Sequence, residues 1–191
     1  MTVAFLYHTD YLKHITDPMH PESGARLQSI LQHIDPLQEQ LLLVEPQPAT
    51  VEMVELVHSY HLLDKVRIYA HTARPLDDET ETSFDSYDVA LLAAGAGPTA
   101  VDLFCGGEVQ SAFAAVRPPG HHATVDTAMG LCLFNNVAIT ARYAQGCGFK
   151  RVLIVDFDVH HGNGTQEIFY QDGSVFYFSS HQSPAYPGTG A

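Results

Sequence analysis

Four short apolar runs limit what this chain can fold into: VAFLY at 3–7, SAFAAV at 111–116, RVLIV at 151–155 and SVFYFS at 174–179. Their length, and in three of them the strong β-forming residues, predicts buried strands. Between them the pattern turns helical at 22–34, at 51–69 with a break near Ser59, at 86–104, at 134–144 and briefly at 165–170. Strands that alternate with helices pair in parallel, because a parallel neighbour is reached only by a crossover long enough to hold a helix. The helices then cover both faces of the sheet. The expected fold class is α/β with three layers, α/β/α, and a mainly parallel sheet joined by right-handed crossovers. The acidic segment RPLDDETETSFDS, 74–86, reads as a surface loop. Neither side of it looks able to form a complete core, so a single domain over 1–191 is expected.

Charge narrows the partners. Twenty-two acidic against nine basic residues give a formal net charge of −13. Such a surface repels the phosphates of nucleic acid and membranes and suits a cationic partner such as a lysine-rich peptide or a polyamine. The charge-free apolar run 89–101 contains Gly95, Gly97 and Pro98. It falls short of the roughly 20 residues a membrane helix needs. No basic leader precedes a long apolar run at the start, so a cytoplasmic location is expected. Cys105, Cys132 and Cys147 form neither a CxxC pair nor an even set, which predicts reduced, packed thiols.

In open parallel sheets ligands gather beyond the carboxyl ends of the strands. Three runs end there in polar groups: SAFAAV leads into Arg117, two prolines, Gly120, His121 and His122. RVLIV leads into Asp156, Asp158, His160 and His161, and SVFYF into Ser179, Ser180 and His181. Within DFDVH a strand period of two sends Asp156, Asp158 and His160 to one side, neighbours roughly 6 to 7 Å apart. A carboxylate with an imidazole suits zinc, so Asp158 and His160 are the expected metal ligands. Asp156, deeper, suits orienting a histidine. His121 and His122 are poorly spaced to chelate one ion, and Pro118 and Pro119 stiffen their approach. They suit a general base and a general acid. The glycines of HHGNGT and YPGTG match neither GxGxxG nor GxxxxGK[ST], so no nucleotide site is expected.

The stretches HPESGARL (20–27), DSYDVALLAAG (85–95), RPPGHHA (117–123), GLCLFNNVAI (130–139), VDFDVHHGNGTQ (155–166) and SSHQSPAYPGTG (179–190) carry a family resemblance. The chain resembles the zinc-dependent histone deacetylases, class II-like in its HHGNGTQ wording, and their bacterial acetoin-utilisation and acetylpolyamine amidohydrolase relatives. The resemblance implies an arginase/deacetylase-like fold, here missing the later strands. It implies hydrolysis of an acyl-amide on a lysine-like or polyamine amine, with an acetylated lysine peptide or acetylpolyamine as substrate.

By position, the resemblance makes Asp158 and His160 ligands of a catalytic Zn2+ and His121 and His122 an acid–base pair. Asp156 stands behind His121. Asn163 stands behind His122, where many relatives have an aspartate, and a neutral amide leaves that histidine the more easily neutralised. The resemblance further implies a structural K+ near Asp156, Asp158, His160, Ser179 and Ser180. Arg26 falls in an inner channel that handles acetate. Gly130 and Leu131 face Tyr186 across an acyl-lysine tunnel that has lost one aromatic wall, and Glu79 replaces a rim aspartate. Relatives supply a third zinc ligand and a carbonyl-polarising tyrosine after the position of Ala191. The alternative is therefore a truncated, weak or inactive deacetylase-like binding module, whose open sheet edges favour a homo-oligomer. An arginase-type ureohydrolase, built on a two-manganese cluster rich in aspartates, fits less well, because RPPGHH and DFDVHHGNG follow the deacetylase pattern.

Overall fold

The computed structural model describes residues 2–191. Its strands are β1 (Val3–Leu6), β2 (Leu41–Val44), β3 (Ser111–Ala114), β4 (Val152–Asp156) and β5 (Val175–Ser179). Its α-helices are α1 (Ala25–Ile34), α2 (Val51–Glu55), α3 (Tyr60–His71), α4 (Ser86–Cys105), α5 (Asn136–Gly146) and α6 (Asn163–Phe169). The four apolar runs are four of the strands. The fifth, β2, lies outside the expected set: LLLV is too short to show a period of its own, and pairing with β1 decides its state. The break near Ser59 is real. Ser59 caps α3, its hydroxyl accepting from the Leu62 N–H at 3.3 Å.

The named strands of the described residues all pair in parallel, as expected, but they form two separate sheets, ordered β2-β1-β3 and β4-β5. β1 is enclosed: Phe5 packs against Leu27 of α1 and against Val89, Leu92 and Ala93 of α4. β4 and β5 are covered on one face only. Ile154 and Val175 join the core with Ile139 of α5 and Phe169 of α6. The alternate side chains Leu153, Val155, Phe176 and Phe178 are exposed, as is Phe113 of β3. The layered arrangement thus surrounds β1, while the outward apolar side chains of β4 and β5 stay exposed among the described residues.

α4 is the central helix. At 20 residues it is long and apolar enough to pass for a membrane span by length and composition, which the charge-free run alone did not reveal. Its first part, from Ser86 to Pro98, instead supplies most of its buried residues to this fold's core. A Cβ at Gly95 would strike the backbone of Gln47 and Ala49, and one at Gly97 would strike Thr140 of α5, so glycine is what lets both neighbours approach. The cysteines also differ from expectation. Cys132 is buried, but Cys105 and Cys147 are exposed, because each sits at the C-terminal end of a helix that has run out of the core.

One buried ion pair ties the two halves of the first sheet's surroundings together. The Arg117 guanidinium donates to both Glu22 carboxylate oxygens, at 2.7 to 3.1 Å, and to the carbonyls of Tyr11 and His14. His14 lies against the same carboxylate and against the Ser86 hydroxyl. No buried side-chain N or O among the described residues lacks a partner. Arg117→Ala would leave the Glu22 charge buried and unpaired. The expected loss is about 3 to 5 kcal/mol, measured by urea unfolding. Acid provides a second check. Burial holds His14 and His58 at about 4, below the usual 6.5. Between those values the unfolded chain binds protons the folded chain refuses. Their contribution is complete above about pH 6.5 and is lost as the pH falls towards 4. The melting temperature should decline across that window, and a flat profile would contradict the assignment.

Candidate active site

A buried polar network fixes the loop that leaves β3. Asn135 caps α5 through Oδ1, accepting from the Ala138 N–H at 3.1 Å. Its Nδ2 donates to the Ala123 carbonyl at 3.0 Å and to the Thr165 hydroxyl at 3.1 Å. His58 donates from Nδ1 to the Thr124 carbonyl and accepts the Asn135 N–H at Nε2, each at 2.8 Å, which sets its tautomer. The Thr165 N–H donates to the His121 carbonyl at 3.1 Å. At Gly120 a Cβ would lie 2.6 Å from the Asn136 nitrogen, so the loop can press on the start of α5 only as glycine. Sequence reasoning gave Asn135 and His58 no role, since neither sits near the histidine pair in the chain.

On this frame the two histidines stand side by side, ring centres 4.0 Å apart, each with its own backing group. His121 Nδ1 donates to Asp156 Oδ2 at 2.9 Å, and His122 Nδ1 donates to Asn163 Oδ1 at 2.8 Å. The Tyr177 hydroxyl donates to the same Asp156 oxygen at 2.9 Å. Tyr177 was not among the expected residues, although its signal was present: it shares a face of β5 with Ser179, which pairs in register with Asp156. Gly162 has room for no Cβ against Asp156 and Tyr177.

Asp156, Asp158 and His160 do come together, but not along a strand. β4 ends at Asp156. Beyond it each carboxylate captures the N–H two residues on, Asp156 Oδ1 from Asp158 at 3.2 Å and Asp158 Oδ1 from His160 at 2.8 Å. Those local bonds curl the chain out of the extended state. The curl leaves Asp158 Oδ1 3.5 Å from His160 Nδ1 and 3.9 Å from His121 Nε2. The Tyr186 ring stands nearly perpendicular to His122 and His160, at 5.0 and 5.9 Å.

Around this centre, Gly130 and Leu131 take the left-handed backbone, φ +57° and +70°. A Cβ at Gly130 would strike His122 and the Tyr186 hydroxyl. The Leu131 N–H donates to the Thr80 hydroxyl at 3.2 Å, which draws the acidic loop to the rim. Glu79 is exposed in that loop, with its carbonyl bonded to His20 Nε2 at 2.9 Å. Arg26, exposed on α1, donates to the Val116 carbonyl at 2.8 Å and lines a groove shared with Glu22, His121, Leu131 and Asp158. The Ser179 hydroxyl pairs with His181 Nδ1 at 2.8 Å, and the Ser180 N–H donates to the Asp156 carbonyl at 3.0 Å.

The electrostatics separate the two histidines. Burial pushes the Asp156 carboxyl up, but the His121 bond and charge, helped by Tyr177, outweigh it and hold the group below its ordinary value. His122 is pushed down to about 4, first by burial and then by repulsion from His121, while Asn163 pulls the other way. The direction matches the expectation of an easily neutralised His122, but burial rather than the neutral amide is the main cause. Burial, then the charges of Glu79 and Asp77, lifts the Tyr186 phenol to about 12.

Comparison with known proteins gives the family. A histone deacetylase domain matches residues 20–191. The chain belongs to the histone deacetylase family. It is 39% identical to a probable deacetylase of Archaeoglobus fulgidus, covering 100% of this chain and 54% of that protein. It is 37% identical to a histone deacetylase-like amidohydrolase of Pseudomonas aeruginosa, over 87% of this chain and 44% of that protein. The crystal structure of the HDA15 HD domain superposes with a TM-score of 0.94 at 38% identity, covering all of this chain and 57% of that one. This deacetylase-family chain thus spans about half the length of its relatives, and it has the family's α/β arginase/deacetylase fold.

Membership points to a metal cofactor. The carboxylate of Asp158 and imidazole of His160 are of the right type, and both stand open, at 51% and 44% side-chain exposure. They are two donors, whereas a hydrolytic zinc site uses three. No group of three or more histidines, cysteines or acids among the described residues could hold a metal ion. The fit is therefore that of part of a site. The histidine backing is open to a direct test in the metal-free protein. Asn163→Asp places a carboxylate on His122 Nδ1 and should raise its pKa, read from the imidazole resonances by NMR; an unmoved titration would show that the contact is not made in solution.

Proposed function

We propose that this chain carries the acid–base half of a zinc-dependent deacetylase that hydrolyses an acyl-amide on a lysine-like or polyamine amine. The observation that carries the reading is the pair of adjacent histidines, one backed by a carboxylate and one by an amide, beside the Asp158 and His160 donors. Those two residues would hold the zinc. A bound zinc supplies polarisation of the amide carbonyl and lowers the pKa of water to about 7.

The rest of the chemistry lies in the chain's own groups. Asp156 takes the Nδ1 proton of His121 into a hydrogen bond, so Nε2 is left bare as a base, facing the donor pair. The carboxylate stabilises the imidazolium that forms when Nε2 accepts a proton. His122, kept neutral by burial, becomes a strong acid once protonated and serves the leaving amine. Tyr186 and Leu131 flank the approach, Glu79 stands at the rim, and Arg26 lies in the groove behind, where an acetate product would be met by positive charge. A net charge of −13 favours an acetylated lysine peptide or acetylpolyamine surrounded by cationic groups. The oxygens of Asp156, Asp158, His160, Ser179 and Ser180, gathered at the ends of β4 and β5, are of the hard type a structural K+ takes.

A second reading is favoured by two specific observations, the uncovered apolar face of β4 and β5 and the two-donor metal site. In it the chain is a deacetylase-like binding module that associates with copies of itself and turns over weakly or not at all.

Zinc titration by calorimetry together with a deacetylation assay on acetyl-lysine peptides separates the two. The enzyme reading expects zinc uptake that His160→Ala abolishes, and turnover that His121→Ala lowers by about 10² to 10⁴. Peptide binding without turnover would favour the module. Absence of zinc uptake, or turnover unchanged in His121→Ala, would defeat the enzyme.

A further inference from the structure

α4 and α5 run side by side in register, and the contacts between them lead to a pair of thiols. Gly97 meets Thr140 near the middle of both helices. About one turn on, the Tyr143 hydroxyl donates to the Asp102 carboxylate, at 2.9 and 3.1 Å to its two oxygens. Phe104, in the last turn of α4, meets Phe149, three residues past the end of α5, with ring centres 6.0 Å apart. Cys105, the last residue of α4, directly follows Phe104, and Cys147, the residue capping α5, lies two residues before Phe149; both are exposed. The Asp102–Tyr143 and Phe104–Phe149 contacts hold the two helix ends together, and the Cys105 side chain acts directly on the Cys147 thiol, although 42 positions separate them in the chain (147 − 105).

We propose that Cys105 and Cys147 form an oxidisable dithiol that closes to a disulfide across the ends of α4 and α5 in the presence of a peroxide. One thiolate attacks hydrogen peroxide, breaking the O–O bond to give a sulfenic acid and water. The second thiolate displaces the sulfenic oxygen, which leaves as water, and the S–S bond forms. The two sulfurs together lose two electrons, which the peroxide oxygens take up, and the two thiol protons end in the waters. This site goes beyond the deacetylase reading and uses none of its residues.

The surroundings set the pace and the selectivity. Burial, then the negative charge of Cys105 and Asp102, raises the Cys147 thiol, so thiolate formation and closure should quicken as the pH rises. Cys132 is fully buried with its thiol pushed up to about 12, which removes it as a competitor.

The test treats the full chain with hydrogen peroxide, then unfolds it and alkylates the remaining thiols. Oxidised protein should lose two hydrogen atoms by intact mass, take one alkyl label in place of three, and yield a linked peptide containing Cys105 and Cys147. Its melting temperature should rise above that of the reduced form. C105S and C147S, at exposed positions, should keep the circular dichroism of the parent and show neither the intramolecular link nor the rise. Retention of three labels, a link to Cys132, or bridges that join two molecules of the parent protein would overturn the proposal. None of these readouts depends on zinc or turnover.

Discussion

The Asp156 carboxylate holds the site together. It stands at the last position of β4, where the sheet's hydrogen bonding runs out, and its two oxygens gather the His121 imidazole, the Tyr177 hydroxyl and the Asp158 N–H. Its own backbone carbonyl takes the Ser180 N–H. One side chain thus sets the tautomer of the first histidine, locks β5 beside β4 and starts the curl that presents Asp158 and His160. Charge on a half-buried carboxylate is tolerable because so many donors face it, and the same donors are what keep it ionised.

A second layer of buried polar groups makes that arrangement rigid. Asn135 and His58 are satisfied on every side they use, and between them they tie α3, α5, α6 and the RPPGHH loop into one unit. Arg117 does the same for the front of the first sheet by engaging Glu22 and two carbonyls of the segment after β1. Such groups add little net stability, yet each is costly to break, so they select one geometry for the loops between them.

The uncovered face of β4 and β5 gives the molecule its asymmetry. Alternation along VLIVD and VFYFS puts apolar side chains on both faces, the pattern of strands meant to be buried twice, but helices cover only one. The chain covers 57% of the HDA15 HD domain it superposes on, and the site is likewise partial, rich in acid–base groups and short of metal donors.

Much of this was legible in the order of residues. Strands at four apolar runs, parallel pairing and the meeting of three strand ends follow from composition and period, since β-forming runs and intervening helices leave few other arrangements. The histidine pair, Asp156, Asp158 and His160 declare themselves because they follow those runs directly. Tertiary structure alone decided the rest. β2 exists because β1 pairs with it, and Asp158 and His160 converge through turn bonds rather than strand period. The charge state of His122 comes chiefly from burial, and Tyr177, Asn135, His58 and Arg117 act through partners far away in sequence. The physical reason is common to all of these: period and propensity are local, whereas burial, a hydrogen-bond partner or a vacant sheet face depends on which distant segment arrives, and only the folded chain settles that.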